Sequence, residues 1–212
     1  MITERRFDGW PTAATDILLQ LEGEPSTRTR ERLRHDREHL VRRPMIDLLT
    51  DVAVADEAYE RFSVWGYGKT AWWWQHQCGI VRVESPVELS LRFDLDGLWV
   101  DGGWSYPTSA RVERYRRAVD DDTSGPELVQ IVKTLRGLGF DVNGTVLKRV
   151  SKAYPTDHPR ADLLRHRSFT AVRLIDDESV LHTSAATDRV LETYDLLRTL
   201  IDWQTNHLAA GA

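Results

Sequence analysis

The side chains best suited to acid–base chemistry lie in one segment of the sequence, from Leu147 to Phe169. Its centre contains Tyr154, Asp157 and His158, and a phenol, a carboxylate and an imidazole can transfer protons to and from a bound substrate. Two prolines favour a loop here, and loops commonly carry specificity. The catalytic residues that we predict are His158, Tyr154, Asp157 and, from an earlier part of the chain, Lys69. An equally supported alternative is a surface loop in which Asp157 and Arg165 form structural ion pairs.

A second candidate is an aromatic cluster that contains three consecutive tryptophans, Trp72–Trp74. Successive side chains of a strand alternate between its faces, so a strand would place Trp72, Trp74 and His76 on one face. Such a face is typical of a packed core, the slightly favoured interpretation, or of the wall of a pocket for an apolar guest. The predicted substrate-binding residues are Trp65, Tyr67, Trp72, Trp74, His76, Trp104, Lys152 and Arg165.

Other motifs do not support a specific chemistry. Gly68-Lys69-Thr70 matches the end of a phosphate-binding loop, but Ser63 stands where that loop needs its first glycine. His35 and His39 are spaced like the two histidines of some zinc peptidases, yet they lie among arginines that would repel a divalent cation. No nucleophilic triad is visible. We therefore predict no metal site and no cofactor.

Helical patterns occur at both ends of the chain. The first follows Pro11 and stops at Gly23; the second starts with Ser26 or Thr27 as its N-cap and is interrupted at Pro44. Further helices are predicted over 109–119, over 127–139 with a capping box at 124–127, and around 190–203.

Strand patterns fill the middle of the chain. Alternating aromatic and β-branched residues predict strands over 61–67, 70–83, 87–95 and 97–104, with a late strand over 169–175. Short polar connections favour antiparallel pairing. The sequence therefore predicts a single α+β domain over residues 1–212, with a mostly antiparallel sheet flanked by N-terminal and C-terminal helices.

Composition narrows the set of partners. A net charge of −5 and a pI of about 5.8 argue against nucleic acid as a partner, because nucleic-acid-binding proteins usually carry a basic surface. The start of the chain lacks the apolar stretch of a signal peptide, and no run approaches the roughly 20 apolar residues of a membrane span. We expect a cytoplasmic protein with a small-molecule partner and no membrane contact. Nothing in the sequence indicates its oligomeric state.

The segment Leu147–Phe169 also carries a family resemblance. Its Lys148-Arg149 pair, the Tyr154-Pro155-x-Asp157-His158-Pro159 run and the Asp162-Leu163-Leu164-Arg165 run resemble domain-of-unknown-function family 2461, a bacterial family of uncharacterised proteins. Weaker landmarks are Phe7–Pro11, Val41–Pro44, Gly97–Pro107 and Ile201–Trp203. The resemblance implies one α+β domain and brings no established activity, cofactor or catalytic residue.

One stretch departs from that family pattern. Members usually carry a strongly polar signature where this chain has Gly66–Cys78, and only Lys69 keeps a matching charge. Replacing charges by indoles requires a different lining around them. We therefore expect a divergent member whose pocket holds an apolar or aromatic ligand.

Two functions fit these patterns. The first is a cofactor-independent enzyme of the cyclisation or isomerisation type, acting on an apolar or aromatic small molecule in specialised metabolite biosynthesis. The second is a non-catalytic module that binds a small molecule or a protein, with the tryptophans as anchors.

Overall fold

A computed structural model describes residues 6–209 of the chain. Residues 1–5, part of the start in which we expect no signal peptide, and residues 210–212 lie outside the described part. The fold is α+β, as predicted: within residues 6–209, six strands form one antiparallel sheet, and helices come before and after them.

The N-terminal helices follow the predicted caps and breaks. The Ser26 hydroxyl accepts a hydrogen bond from Thr29 N at 3.1 Å and so caps the second helix. The interruption predicted at Pro44 is a π-helical turn, Glu38–Arg42, after which Pro44 occupies the first turn of the next helix, where its missing N–H needs no partner. The helices are α1 (Ala13–Gln20), α2 (Thr27–Arg37), α3 (Arg43–Ala55), α4 (Ser109–Asp120), α5 (Ser124–Gly137), α6 (Ala161–Leu164), α7 (Glu178–Leu181) and α8 (Ala185–Leu208).

The strands pair in the order β1-β2-β3-β4-β6-β5. Two-residue connections, 85–86 and 95–96, join β2 to β3 and β3 to β4, which gives consecutive antiparallel hairpins. The strands are β1 (Phe62–Val64), β2 (Gln77–Glu84), β3 (Val87–Asp94), β4 (Gly97–Trp104), β5 (Asp141–Asn143) and β6 (Phe169–Ile175).

The strand predicted over 70–83 is wrong in its first half. Ala71–Trp74 form a short 3₁₀ helix, and β2 begins only at Gln77. The strand over 61–67 is likewise shortened to β1. The backbone carbonyl groups of Trp73, Trp74 and His76 all accept hydrogen bonds from the side chain of Arg37, so these carbonyl groups do not pair with a neighbouring strand.

The capping box predicted at 124–127 is also wrong. The Ser124 hydroxyl donates to Ala118 O at 2.7 Å, at the end of α4, and is therefore not the acceptor that a capping box needs. The acceptor is Asp121, whose Oδ1 receives the N–H groups of Thr123 and Ser124 at 2.9 Å each.

The chain divides into two compact units, each assembled from three segments. The first unit comprises Met1–Arg82, Ser90–Val100 and Leu174–Thr193, and the second comprises Val83–Leu89, Asp101–Arg173 and Tyr194–Ala212. The prediction of one domain over 1–212 therefore stays a prediction.

Each unit has an aromatic core. In the first, the buried Trp10 ring stacks on Phe93 with 4.2 Å between ring centroids. In the second, Tyr115 contacts the rings of Trp104, Phe169 and Trp203 at centroid distances of 5.7, 6.0 and 6.2 Å. Fully buried aromatic rings of this size supply much of the free energy of burial in a core.

Candidate ligand-binding site

The tryptophan segment takes its shape from Arg37, which is 1% exposed. Its guanidinium donates to Trp74 O at 3.0 Å, Trp73 O at 3.2 Å and His76 O at 2.6 Å. It also donates to the side-chain oxygen of Gln77 at 3.2 Å. Burial lowers the pKa of Arg37 from its ordinary value, and the polar acceptors around it compensate for lost hydration. Arg37 thus fixes the backbone that carries the tryptophans.

The three tryptophans have different environments. Trp74 is buried, stacks on Tyr67 with 4.8 Å between ring centroids and donates from Nε1 to Gly68 O at 3.1 Å. Trp73 lies against Trp65, with 5.1 Å between ring centroids. Trp72 is 52% exposed. The predicted common face of Trp72 and Trp74 is therefore wrong, because a 3₁₀ helix turns each side chain by about 120° from the last.

Tyr67 extends this aromatic packing towards α2. Its hydroxyl donates to a carboxylate oxygen of Glu38, and its ring lies beneath the Arg37 guanidinium, 4.8 Å from Cζ to the centroid. Burial, followed by the hydrogen bond to Glu38, raises the pKa of Tyr67 to about 12. Tyr67 is therefore a neutral phenol with a structural role here.

Trp72 and His76 line a cavity of about 240 Å³ in the first unit. Their rings meet edge to face, with 4.0 Å between centroids. The remaining lining residues come from α1 and the residues after it, from the end of the 3₁₀ turn, and from β3 and its connection to β4: Leu18, Glu22, Gln75, Arg92, Asp94, Leu95 and Asp96. This is where the structure brings two predicted substrate-binding residues together.

Among the residues that line this cavity, His76 has an unusually low side-chain pKa. Its side chain is buried, and Nε2 has no hydrogen-bond partner among residues 6–209. Burial, and then the positive charges of Arg92 and Arg37, lower the pKa of His76 to about 4. The imidazole is therefore neutral at pH 7, and an unpartnered buried nitrogen of this kind costs stability unless something occupies it.

Charges at the cavity are not balanced. Arg92 Nε lies 2.9 Å from Asp94 Oδ2, and its guanidinium lies over the Trp99 ring at 5.1 Å. Asp94 also accepts from Trp99 Nε1 at 3.1 Å, so this pair is held in place and neutralised. Glu22 and Asp96 are exposed on the same lining and add negative charge.

Four other predicted residues of the first unit do not line this cavity: the buried Trp74, and Lys69, Trp65 and Tyr67. Lys69 is exposed, and its backbone oxygen accepts from Arg30 at 2.8 Å. Trp65 is partly exposed against Trp73, and its backbone oxygen accepts from Arg42 at 3.1 Å. Tyr67 borders a separate groove, shared with the His35 and His39 pair on the helix face.

In the second unit, the predicted catalytic residues have structural partners or lie at the surface. His158 Nδ1 accepts from Arg160 N at 3.0 Å, and Nε2 lies 3.2 Å from Asp120 Oδ1, so both ring nitrogens are engaged. The Tyr154 hydroxyl lies 3.5 Å from Glu113 Oε1, and burial raises its pKa. Asp157 is exposed. Their catalytic roles stay predictions.

The predicted binding residues of the second unit divide in the same way. Trp104 is fully buried in the core, with Nε1 donating to Tyr106 O at 3.0 Å, so its ring is packed rather than open to a ligand. Lys152 and Arg165 line a cavity together with Tyr154. Arg165 also forms an ion pair with Asp162 at 3.0 Å. The alternative interpretation of this segment allowed an ion pair between Arg165 and Asp157, and the observed partner of Arg165 is Asp162 instead.

Sequence reasoning missed Arg37, Arg92 and Glu22. Arg37 is one of seven arginines between Arg28 and Arg43, and helical spacing alone does not separate the one that is buried. Arg92 and Glu22 lie outside the aromatic cluster, and only the fold brings them to His76.

Within 6–209, no group of three or more His, Cys, Asp or Glu side chains is placed to hold a metal ion. In the same range, no helix has both the length and the apolar character to cross a membrane.

Comparison with known proteins identifies the family. The model of the family described as conserved hypothetical protein (DUF2461) matches residues 69–203. The chain belongs to this family. No curated protein and no solved structure matches it.

The DUF2461 match covers the whole of Leu147–Phe169 and the landmarks at Gly97–Pro107 and Ile201–Trp203. The landmarks at Phe7–Pro11 and Val41–Pro44 precede it. The match begins within the stretch that we interpret as divergent, and the family description names no ligand or reaction.

Proposed function

We propose that the protein binds a small aromatic molecule that carries a positive charge, in the cavity beneath Trp72. The observation that carries the proposal is the half-exposed Trp72 indole, packed on the buried His76 ring in the wall of a cavity whose lining includes exposed carboxylates. Sites of this kind combine an apolar wall with a few polar groups that orient the guest.

Charge and size narrow the ligand class. Because Asp94 neutralises Arg92, the carboxylates of Glu22 and Asp96 give the lining a net negative charge. An indole face adds a cation–π attraction worth roughly 0.5 to 2 kcal/mol. At about 240 Å³ the cavity is smaller than the roughly 300 to 1,000 Å³ typical of drug-sized ligands, so it fits a single substituted ring.

Three probes of nearly equal shape and different charge test the proposal: benzamidine, benzamide and benzoate. Each is titrated into the full chain while tryptophan indole N–H signals are followed by NMR. We expect benzamidine to bind most tightly and benzoate least, with the Trp72 indole signal shifting on binding. Trp72→Ala should lose the binding, whereas Tyr106→Ala, which removes another exposed aromatic ring, should retain it.

Two outcomes would reject the proposal. Equal affinity for all three probes would show that the carboxylates of Glu22 and Asp96 do not select a positively charged ligand. Binding that survives in Trp72→Ala, with the variant still folded by circular dichroism, would place the ligand elsewhere.

A second candidate is a cofactor-independent isomerase that uses this same cavity, and the neutral imidazole of His76 in its wall favours it. A neutral imidazole can donate a hydrogen bond to a carbonyl oxygen as it becomes an enolate, and the Glu22 carboxylate can move the proton from one carbon to the next. The proton is returned, so no oxidant or cofactor is consumed.

Hydrogen exchange distinguishes the enzyme from the binding module. With 2-amino-1-phenylethanone in D₂O, an isomerase of this type should accelerate exchange of the carbon-bound hydrogens next to the carbonyl. His76→Gln and Glu22→Gln should each lose the acceleration even at ketone concentrations that saturate the variant, so that weaker binding caused by the lost contact does not account for the loss. No acceleration by the wild-type protein would leave the binding module alone.

A further inference from the structure

The second unit contains a cavity of opposite charge, and we propose that it binds a small organic phosphate. The cavity has a volume of about 480 Å³ and is formed by residues 148–165. Its lining comprises Lys148, Arg149, Val150, Ser151, Lys152, Tyr154, Thr156, Ala161, Asp162 and Arg165. The proposal does not depend on the ligand proposed for the cavity beneath Trp72.

The first support is the excess of cations. Four basic side chains and one carboxylate line the cavity, in a chain whose net charge is −5. Lys148, Arg149 and Lys152 are exposed, and none of them forms an ion pair with another residue in the range 6–209. Unpaired cations that converge on one cavity attract an anion.

Arg165 supplies the second support. One of its terminal nitrogens lies 3.0 Å from Asp162 Oδ1, which holds the guanidinium against the four-residue helix α6. The side chain is 36% exposed, so part of the guanidinium stays accessible beside the contact with Asp162. A guanidinium has five N–H donors and matches the oxygens of phosphate, so Arg165 can bind a phosphate while it keeps its contact with Asp162.

The other lining groups favour an ester of phosphoric acid over a bare ion. Ser151 and Thr156 offer hydroxyl groups, and Val150 and Ala161 offer short apolar side chains for a carbon skeleton. The volume lies within the range of sites for small metabolites. Glu113, beside the Tyr154 hydroxyl at 3.5 Å, limits the positive potential to one side of that ring, which does not suit a long polyanion.

Isothermal titration calorimetry of the full chain at low ionic strength tests the proposal, with glycerol 3-phosphate, inorganic phosphate and uncharged glycerol as probes. Saturable binding of glycerol 3-phosphate, weaker binding of inorganic phosphate and no binding of glycerol are expected. Arg165→Gln and Lys152→Gln should each weaken glycerol 3-phosphate binding about tenfold, since each removes one charge-assisted contact. Lys152 is exposed, so its variant should fold normally.

The matched control is Lys133→Gln, an equal change of charge at an exposed position of the same unit that does not line this cavity. It should change affinity less than twofold. An equal loss in Lys133→Gln, or tighter binding of inorganic phosphate than of the ester, would overturn the proposal. So would stronger binding of a short DNA duplex that weakens steeply with salt, because that behaviour belongs to a polyanion surface.

Discussion

His76 couples the chemistry of the candidate site to the stability of the fold. It lies under Trp72 with a free ring nitrogen, faces the guanidinium of Arg92, and has its backbone carbonyl held by Arg37. Two nearby cations and burial act in the same direction on its pKa, since both disfavour the imidazolium. The neutral ring that the proposed function requires is therefore produced by the same contacts that build the turn.

The depressed pKa of His76 predicts a pH dependence of folding. In the unfolded chain the imidazole takes up a proton near pH 6.5, whereas in the folded protein it does so only near pH 4. Between these values the unfolded state binds more protons, so the free energy of unfolding falls as pH falls through this window. The contribution of one group is at most about 1.4 kcal/mol per pH unit. Below about pH 4 its effect is complete.

Urea unfolding at pH values from 4 to 8 measures this effect. The free energy difference between the wild-type protein and His76→Gln should change with pH only inside the window and be flat above it. His35→Gln, at an exposed position, is the control and should show no such change. An NMR titration in which the His76 ring protonates near pH 6.5 in the folded protein would contradict the prediction.

At the scale of elements, the segment 65–76 is shaped by close contacts and not by periodicity. A Cβ atom at Gly68 would lie 2.0 Å from Cδ1 of the Trp73 ring, whereas one at Gly66 would meet nothing within 4 Å. The backbone at Gly68 must therefore pass directly against an indole. The two glycines make a matched pair, two residues apart in the same loop.

Gly68→Ala should destabilise the protein by about 1 to 3 kcal/mol, because the added methyl group displaces the Trp73 ring from its place beside Trp65. Gly66→Ala should be neutral or stabilise by up to about 1 kcal/mol, because it only restricts the unfolded chain. Urea unfolding gives both free energies, and near-ultraviolet circular dichroism reports the tryptophan environment. Equal effects of the two substitutions would show that the indole does not pack against Gly68.

Elements whose signal is local could be predicted from the sequence. The Ser26 cap, the break at Pro44 and the two tight hairpins depend on residues within a few positions of each other, and all are present. The tryptophan run could not be predicted in the same way. The side-chain alternation along this run suggests a strand. However, Arg37, more than 30 residues earlier, donates hydrogen bonds to the backbone carbonyl groups of the run, and no local sequence pattern predicts that contact.

At the scale of the whole molecule, each unit is assembled from segments far apart in the chain, and this limits what the sequence can predict about the site. The sequence predicted Trp72 and His76 as ligand-binding residues; both line one cavity, and their binding role stays a prediction. Arg92 reaches that cavity only because β3 contributes its end to the first unit. The α+β class could be predicted from the order of helices and strands along the chain. Which of these elements pack against each other could not, because it depends on contacts between residues far apart in the sequence.

Trp10 joins segments of the first unit that are far apart in the sequence. Its fully buried ring stacks on Phe93, and Nε1 donates to Val41 O at 3.1 Å. Its backbone N donates to Leu181 O at 3.0 Å, and its backbone oxygen lies 2.6 Å from His182 Nδ1, 172 positions later in the chain. The side chain and peptide groups of Trp10 thus connect the start of the chain with three elements: the π-helical turn before α3, the strand β3 and the end of α7.

Trp10→Ala should therefore lower the free energy of unfolding by about 3 to 5 kcal/mol, since it opens a cavity beside Phe93 and leaves the buried Val41 carbonyl without its donor. Trp72→Ala removes the same side chain from a half-exposed position and should cost less than about 1 kcal/mol. Urea unfolding followed by far-ultraviolet circular dichroism compares the two variants under the same conditions. Similar losses in both would mean that Trp10 does not hold the first unit together, because burial would then make no difference to the cost of removing an indole.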